Sequence, residues 1–367
     1  MLRADDPRLV LTLDAGGTNF VFSAVRSGRE ATEPLSLPSR PDDLAACLDA
    51  LRAGFAAVHA RTGQQAAAIS FAFPGPADYP AGIIGDLGNL PAFRGGVPLG
   101  PLLADAFGIP VFINNDGDLF ALGEAIGGLL PWVNERLALA GSARRYRNLL
   151  GVTLGTGFGG GIVSDGRLHL GDNSAGGEIW LLRGKLDPAA PAEEGASIRA
   201  VRGAYAAAAR IALDEAPEPR EIAAIARGER DGDAAAARTA FARLGEAVGD
   251  ALANAVTLVD GVIAIGGGLA GAAPLFFPAL LAELNGSFAT PGGRIDRLEV
   301  KACDLEEPES LEQFLRPATR QVQVPGSARV VPYDPTKRIG VGLSRLGTSR
   351  AIALGAWAFA LDALDRR

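Results

Sequence analysis

The sequence has few cysteines, few histidines and no long apolar run. Cys47 and Cys303 are the only cysteines among 367 residues, and two isolated cysteines form neither a disulfide framework nor a zinc-binding pattern. The two histidines, His59 and His169, are equally isolated, and we interpret them as packing or surface residues. The alanine-rich stretches are interrupted by Arg, Asp and Glu, so none is typical of a membrane-spanning helix. These absences favour a protein of the reducing cytoplasm.

An excess of basic charge and a targeting segment are also absent. Lys and Arg number 35 against 42 Asp and Glu, which gives a formal net charge of −7. This balance argues against a nucleic-acid-binding surface. The first residues, MLRADDPR, lack the apolar core of a signal peptide. The sequence has no G-x-x-x-x-G-K followed by Ser or Thr, which excludes a Walker-type nucleotide site on motif grounds. The length favours two domains.

Glycine is abundant, and much of it lies in two segments that share one layout. In residues 151–170 an apolar run reaches a turn that contains Gly155 and Gly157, and a second apolar run follows. Residues 11–25 repeat this layout around the turn Gly16-Gly17-Thr18-Asn19. Glycine lets bare N–H groups approach a polyanion closely. A single turn of this kind is equally typical of a tight hairpin, whereas two copies favour a duplicated architecture that holds a phosphate-bearing ligand between its halves.

The glycines of the second segment also match the dinucleotide pattern G-x-G-x-x-G. That pattern binds pyrophosphate only where a helix follows the glycines directly. Here Ile162 and Val163 continue as a strand, and Asp165-Gly166 is a hairpin signal. The segment therefore argues against a Rossmann site.

The rest of the chain reads as alternating strands and helices. We predict helices at 42–60, 99–108, 196–214, 235–259 and 348–364, and strands at 67–73, 109–116 and 262–266. Residues 295–335 are expected to be β structure around the acidic segment DLEEPESLEQF, and residues 131–148 and 171–200 are expected to be connections. Ligands of open α/β sheets lie at the carboxyl ends of strands, so we expect the polar residues 114–116 to face one.

Seven segments of this sequence together resemble the ROK family, within the actin/hexokinase/Hsp70 fold. They are DAGGTN at 14–19, FPGP at 73–76, GNLPAFRG at 88–95, NNDGDLFALGE at 114–124, LGTGFGGGI at 154–162, AGGEI at 175–179 and AIGGGLAG at 264–271. The resemblance implies two α/β domains of ribonuclease-H-like topology with a central cleft. We expect a small domain from residues 1–115 with the terminal helix at about 348–367, and a large domain from residues 116–347. The family resemblance also implies a homodimer.

The resemblance implies ATP-dependent phosphorylation of a hexose hydroxyl, in the manner of a glucokinase. Asp116 matches the family's catalytic base, and its alternative role is that of a helix N-cap. The residues that match positions for hydrogen bonds to sugar hydroxyls are Asn89, Asn115, Glu178 and Glu193. Turn formation is the alternative for the two asparagines, and surface charge is the alternative for the two glutamates. Glu194 competes with Glu193 for the same position.

The resemblance also assigns nucleotide-binding residues. Asp14, Gly16, Gly17, Thr18 and Asn19 would form the first phosphate loop, with Asp14 acting on Mg²⁺ through water. Gly155, Thr156 and Gly157 would bind the β- and γ-phosphates. Gly266, Gly267 and Gly268 would accommodate adenosine at the start of a helix whose N–H groups are free. Close packing between helix and strand is the alternative explanation for this triple glycine.

Two departures from the family pattern stand out. Family members usually carry a histidine after the AGGEI segment and then a cysteine-rich zinc motif, whereas Trp180 stands in place of the histidine and residues 181–197 contain no cysteine. We therefore expect no structural zinc there, and packing must support the loop. Asp118 replaces a frequent asparagine, and it would either raise the pKa of Asp116 or cap the helix.

Two alternatives to a glucose kinase remain open at this point. The chain could phosphorylate another sugar, such as an N-acetylhexosamine, fructose or allose. It could be a non-catalytic sugar sensor that kept the fold. The repressor branch of the family carries an N-terminal helix-turn-helix, and a first strand that begins near residue 8 leaves no room for one.

Overall fold

A computed structural model describes residues 5–15, 18–88 and 90–366. The chain divides into two compact units. Unit 1 comprises Met1–Gly128, Gly161–Gly177 and Ser344–Arg367, and unit 2 comprises Leu129–Gly160 and Glu178–Leu343. Residues 116–128 and 161–177, which the sequence assigned to the large domain, therefore group with the N-terminal unit.

The elements alternate between strands and helices along the chain. The first part contains β1 (Leu9–Ala15), β2 (Asn19–Arg26), β3 (Arg29–Glu30), β4 (Leu35–Pro38), α1 (Leu44–Arg61), β5 (Ala66–Ala72), β6 (Ala77–Asp78), β7 (Ile83–Ile84), α2 (Leu99–Phe107), β8 (Val111–Asn114), α3 (Asp116–Ile126), α4 (Leu129–Leu139), β9 (Leu149–Leu154), β10 (Phe158–Ser164) and β11 (Arg167–Leu168). The second part contains α5 (Ile198–Ala209), α6 (Pro219–Arg227), α7 (Ala234–Val259), β12 (Val262–Gly266), α8 (Ala273–Leu284), β13 (Ser287–Thr290), β14 (Gly293–Asp296), β15 (Lys301–Asp304), α9 (Pro308–Leu315), β16 (Arg320–Gln323), β17 (Val330–Tyr333), β18 (Arg338–Leu343) and α10 (Thr348–Asp365).

Unit 1 is built on a mixed sheet with the strand order β3-β2-β1-β5-β8, and β4 also pairs with β2. The predicted first hairpin is confirmed, since β1 and β2 pair antiparallel from Leu9 opposite Arg26 to Ala15 opposite Phe20. Strands β1, β5 and β8 run parallel, which places their carboxyl ends at one edge. Phe22 is fully buried and meets Phe55 of α1 edge to face at 5.1 Å between ring centroids.

Helix α3, which begins at Asp116, is held in unit 1 by close contact with α10. A Cβ placed on Gly123 of α3 would lie 1.9 Å from the carbonyl oxygen of Ala351, and one placed on Gly355 of α10 would lie 1.9 Å from that of Leu119. The two helix backbones therefore touch where each has a glycine. This contact fixes the position from which α3 starts.

Unit 2 contains a second sheet, in which neighbouring strands follow the order β10-β9-β12-β18-β15. Strands β9, β12, β18 and β15 run parallel. The path of a hairpin followed by parallel strands thus occurs in both units, in agreement with a duplicated architecture. Strand β10 continues into unit 1, where it pairs with β11 across the predicted Asp165-Gly166 turn. Both turn residues have positive φ, at 49° and 76°, as a tight hairpin requires.

Two segments differ from the expected connections and β structure. The connection expected at 131–148 begins within the helix α4, and Asn134 in the middle of this helix exchanges hydrogen bonds of 2.8 and 2.9 Å with the backbone of Tyr146. The acidic segment expected within β structure contains α9, because Pro308 stands in its first turn and the carboxylate of Glu307 caps it. Among the described residues no helix is both long enough and apolar enough to cross a membrane.

Candidate functional site

In unit 1 the predicted site residues cluster at the carboxyl edge of the sheet. Asp14 lies near the end of β1 and is exposed, and Asn114 ends β8. The chain then turns into α3 through Asn115 and Asp116. Because β1, β5 and β8 are parallel, these polar residues lie at the same edge, as the sequence predicts.

Asn115, rather than Asp116, caps helix α3. Its Oδ1 accepts the backbone N–H of Asp118 at 2.6 Å, and its Nδ2 donates to Asp118 Oδ2 at 3.3 Å. The predicted alternative for Asp116, an N-cap, is therefore wrong, since Asp116 is the first residue of the helix. The amide of Asn115 is partly committed to this cap and keeps only its remaining hydrogen-bonding capacity for a ligand.

Asp116 carries a perturbed carboxyl group. Desolvation by the surrounding protein raises the pKa of Asp116 above its ordinary value of 3.8, hydrogen bonds from backbone N–H groups oppose this, and the negative charge of Asp14 raises it further. The residue is nevertheless exposed to solvent. An accessible carboxyl with a pKa raised by desolvation is typical of a group set in a recess and available for proton transfer.

Asp118 lies at the start of α3 and is hydrogen-bonded to Asn115. It is buried at 1% exposure, and its carboxylate accepts from Asn115 as described. Neither of its two predicted roles is found: desolvation and the charge of Asp14 raise the pKa of Asp116, and the cap of α3 is Asn115. A Cβ on Gly161 would lie 2.5 Å from the carbonyl oxygen of Gly117, so this glycine permits close packing against the first turn of α3.

The first predicted phosphate loop is described only in part. Thr18 and Asn19 are exposed, and the carbonyl of Thr18 accepts the N–H of Ser39 at 3.0 Å. Gly16 and Gly17, together with the predicted sugar contact Asn89, lie outside the described residues.

The second glycine turn joins β9 to β10 in unit 2. The N–H of Gly155 donates to the carbonyl of Gly157 at 3.0 Å and closes the turn, so this N–H is used within the protein. Thr156 at its tip is exposed. A Cβ on Gly155 would meet nothing within 4 Å, so the turn faces open space that a phosphate could enter. Of the three residues predicted to bind phosphate, Thr156 and Gly157 have backbone N–H groups for which no partner is found in the described part of unit 2.

The triple glycine lies directly beside this turn. Gly266 ends β12 opposite Thr153 of β9. Gly267 has φ of +89°, and its Cβ would lie 2.2 Å from the carbonyl oxygen of Leu154, so the predicted alternative of close packing holds for it. A Cβ on Gly268 would meet nothing within 4 Å, which leaves room for a ligand. Both glycine segments thus meet at one end of the second sheet.

The expected helix with free N–H groups after the triple glycine is absent. The N–H of Leu269 donates to the carbonyl of Leu154 at 3.0 Å, and that of Ala270 donates to Gly267 at 3.1 Å. A 3₁₀ turn at Ala270–Ala272 precedes α8. A helix terminus therefore does not supply donors here, and the open surface above Gly268 is what could accept adenosine.

The two predicted glutamates flank one loop of unit 2. Glu178 precedes the 3₁₀ turn Ile179–Leu181, and its carboxylate accepts a hydrogen bond from the indole N–H of Trp180. Glu193 lies in the 3₁₀ turn Ala192–Gly195, and its Oε2 accepts the backbone N–H of Phe158 at 3.0 Å. Glu194 instead pairs with Arg199 at 2.6 Å. The family resemblance identified the two glutamates, but the sequence gave no signal for their hydrogen-bond partners Trp180 and Phe158.

Backbone hydrogen bonds and ion pairs hold the loop at residues 181–197, where the family pattern led us to look for a zinc motif. Ala192 donates to Leu182 at 2.7 Å and Gly184 donates to Ala190 at 2.9 Å, which closes a small hairpin. Lys185 in its arm forms ion pairs with Glu246 and Glu283. In the described ranges no group of three or more His, Cys, Asp or Glu is arranged to hold a metal ion.

Comparisons with known proteins agree with this architecture. A solved glucokinase from Parabacteroides distasonis is 55% identical, with 99% of each chain covered and a TM-score of 0.88. A solved ROK hexokinase from Thermus thermophilus is 23% identical, with 97% of this chain and 99% of that chain covered and a TM-score of 0.69, and this likeness bears on the fold. The predicted α/β fold of the actin/hexokinase type is confirmed.

Curated relatives match over a shorter stretch. An N-acetyl-D-glucosamine kinase from Vibrio cholerae is 32% identical over 176 residues, which are 47% of this chain and 52% of that protein. The chain thus spans about half the length of the curated relatives it matches. The profile of the ROK family matches residues 10–298, which is most of the chain. This protein belongs to the ROK family.

Proposed function

We propose that this protein is an ATP-dependent hexose kinase that transfers the γ-phosphoryl group to a sugar hydroxyl. Family membership and the names of the relatives, a glucokinase and an N-acetylglucosamine kinase, support the reaction class. The residues that would perform it are distributed over both units. Unit 1 supplies Asp116 and Asn115, and unit 2 supplies the two glycine segments with Glu178.

The observation that carries the proposal is the state of Asp116. Asn115 caps α3, while Oδ1 of Asp116 accepts the backbone N–H of Gly117 at 3.0 Å, and Asp116 is exposed. Its raised pKa makes it a stronger proton acceptor than an ordinary aspartate. We infer that Asp116 accepts the proton of the sugar hydroxyl while that oxygen attacks the γ-phosphorus and ADP leaves.

The glycine segments of unit 2 fit a nucleotide. A Cβ on Gly155 or on Gly268 would project into open space. The absence of a side chain at these two positions leaves that space to a ligand. We infer that the backbone at Thr156 and Gly157 donates to the phosphates, since N–H groups positioned around a polyanion need no reorganisation as charge develops. The surface at Gly268 would accept adenosine.

Mg²⁺ fits the carboxylate of Asp14. That side chain is exposed and close enough to raise the pKa of Asp116 through its charge, and a hard cation prefers oxygen ligands of this kind. When bound, Mg²⁺ would neutralise phosphate charge. Asp14 would hold it through water, and Asp116 stays the group that accepts the proton.

The sugar remains the open part of the proposal. Relatives named for glucose and for N-acetylglucosamine point to these two as the first substrates to test. Carboxylate and amide groups at Glu178 and Asn115 offer acceptors and donors that suit a polyol. We also propose that the protein is cytoplasmic, in keeping with its two isolated cysteines. The family resemblance implies a homodimer, which sedimentation analysis would test.

The experiment is a coupled ADP-release assay over a panel of sugars that includes glucose, N-acetylglucosamine, N-acetylmannosamine, fructose and allose. Sugar-dependent release of ADP with at least one of them is the expected result. Binding of a sugar with no release of ADP would instead support a non-catalytic sensor and refute the proposed activity.

A further inference from the structure

Glu193 is in direct contact with the glycine turn that we propose to bind phosphate. Its Oε2 accepts the backbone N–H of Phe158, the residue after the turn, at 3.0 Å. Phe158 is 1% exposed, so water has little access to this part of the chain. A backbone N–H in such a place needs a partner, and the carboxylate supplies it.

A side chain at residue 157 would meet the same carboxylate. A Cβ on Gly157 would lie 2.7 Å from Glu193 Oε2, which is closer than nonbonded atoms approach. The volume of a side chain at this position is occupied by the carboxylate. The absence of a side chain at Gly157 therefore leaves the space that the carboxylate of Glu193 occupies.

A second hydrogen bond ties the other end of the turn to the same segment. The N–H of Ile198 donates to the carbonyl of Gly155 at 2.8 Å. Between the two ties, the N–H of Ala196 donates to the carbonyl of Glu193 at 3.0 Å. A Cβ on Gly195 would lie 2.7 Å from Cβ of Ala247, so the segment is also seated closely on α7.

The second oxygen of Glu193 is not drawn into a strong ion pair. Arg199 lies 4.0 Å from Oε1 of Glu193 but 2.6 Å from Glu194. The guanidinium group is thus engaged by the neighbour, and the carboxylate of Glu193 is oriented chiefly by the backbone of the turn.

We propose that Glu193 is a positioning residue for the phosphate-binding turn, and that it acts on ATP through the backbone of residues 155–158. This inference rests on the proposed kinase function. It differs from the role that family resemblance implies, a hydrogen bond to the sugar. By accepting the N–H of Phe158, the carboxylate fixes the direction in which the N–H groups of Thr156 and Gly157 point.

Three variants separate the two roles. Glu193→Met has a similar length and no acceptor, so it leaves the N–H of Phe158 unsatisfied. Glu193→Gln keeps an acceptor oxygen without charge. Glu309→Gln is the control, because it makes the same change at an exposed glutamate on α9. Glu193→Asp, shorter by one methylene, serves as a second test should Glu193→Met fail to fold.

Binding of the ATP analogue AMPPNP and binding of the sugar are each measured by titration calorimetry. We expect Glu193→Met to weaken AMPPNP binding about tenfold, and sugar binding to change by less than about threefold. Glu193→Gln should stay within about threefold of the wild type for both ligands. Weakened sugar binding in Glu193→Met and Glu193→Gln, with AMPPNP binding unchanged, would overturn the proposal, as would unchanged binding of both ligands in Glu193→Met.

Hydrogen exchange at the amide of Phe158 tests the link without any activity. We expect exchange to be about tenfold faster in Glu193→Met than in the wild type, and nearly unchanged in Glu309→Gln. Equal exchange in all variants would overturn the link itself. A wild type that exchanges slowly at Phe158 but binds no AMPPNP would instead refute the proposed kinase function, so the two failures are distinguishable.

Discussion

The Oδ1 atom of Asn115 accepts the backbone N–H of Asp118 at 2.6 Å and thereby caps helix α3. Because Asn115 is the cap, the side chain of Asp116, which lies between these two residues, is not the N-cap of the helix. An aspartate at the junction of a strand and a helix is ordinarily explained as a cap. Here the asparagine before it fills that role, and Asp116 is an exposed residue whose carboxyl has a raised pKa.

The first prediction concerns pH. Asp116 must be deprotonated to accept a proton, so kcat/KM should fall as the pH decreases through its pKa, and this acidic limb should lie above the ordinary value of 3.8. Removing the charge of Asp14 in Asp14→Asn lowers the pKa of Asp116, so the limb should move to lower pH even though the rate is reduced. Asp105→Asn, an exposed aspartate on α2, is the control and should leave the limb in place. An acidic limb that stays at the same pH in Asp14→Asn would contradict the effect of the Asp14 charge on the pKa of Asp116.

The second prediction concerns Trp180. Trp180→Phe keeps an aromatic ring but removes the N–H that donates to Glu178, so the carboxylate is less firmly oriented toward a sugar. We expect KM for the sugar to rise about tenfold with KM for ATP nearly unchanged. Trp132→Phe on α4 is the matched control. An unchanged KM for the sugar in Trp180→Phe would show that Glu178 does not depend on the indole.

The third prediction separates two adjacent glycines. Gly268→Ala adds a methyl group toward open space, so the protein should fold normally and bind AMPPNP about tenfold more weakly. Gly267→Ala places a Cβ 2.2 Å from the carbonyl oxygen of Leu154 at a φ of +89°, so it should instead lower the stability of the fold. Calorimetric binding and urea unfolding measure the two effects. Normal AMPPNP binding by Gly268→Ala would show that adenosine does not bind at this surface.

The fourth prediction concerns the contact that seats α3. Gly355→Ala inserts a methyl group 1.9 Å from the carbonyl oxygen of Leu119, so the free energy of unfolding should fall by about 3 kcal/mol or more. Gly203→Ala on α5 meets nothing within 4 Å and should raise stability by about 0.5–1 kcal/mol through helix propensity. Urea unfolding compares the two. Equal effects would mean that the helices can separate without cost.

Local patterns in the sequence were enough to locate most elements and the residues around Asp116. The hairpin β1–β2, the Asp165-Gly166 turn and the strand before Asn114 follow from alternating apolar residues and turn glycines, which act over a few positions. The helix α9 was missed because its acidic residues suggested a solvated surface, whereas Pro308 and the cap at Glu307 start a helix that buries Phe314.

Contacts between distant residues could not be predicted. Phe158 and Glu193 are 35 positions apart, and only the folded loop brings the carboxylate to the N–H. The assignment of the cap to Asn115 rather than Asp116 depends on backbone angles at one position, which residue types alone do not set. For the triple glycine, which the resemblance assigns to adenosine, the alternative of close packing holds at Gly267. The expected helix start is replaced by a 3₁₀ turn in which the N–H groups of Ala270 and Ala272 are already bonded.

The measurement that tests the central claim most directly is sugar-dependent ADP release by Asp116→Asn beside Asp105→Asn and the wild type. We predict that Asp116→Asn folds and binds the sugar within about threefold of the wild type, while turnover falls by about 10² to 10⁴, the usual worth of a general base. Asp105→Asn should turn over normally. Turnover by Asp116→Asn close to that of the wild type would contradict the account, because the proton would then have another acceptor.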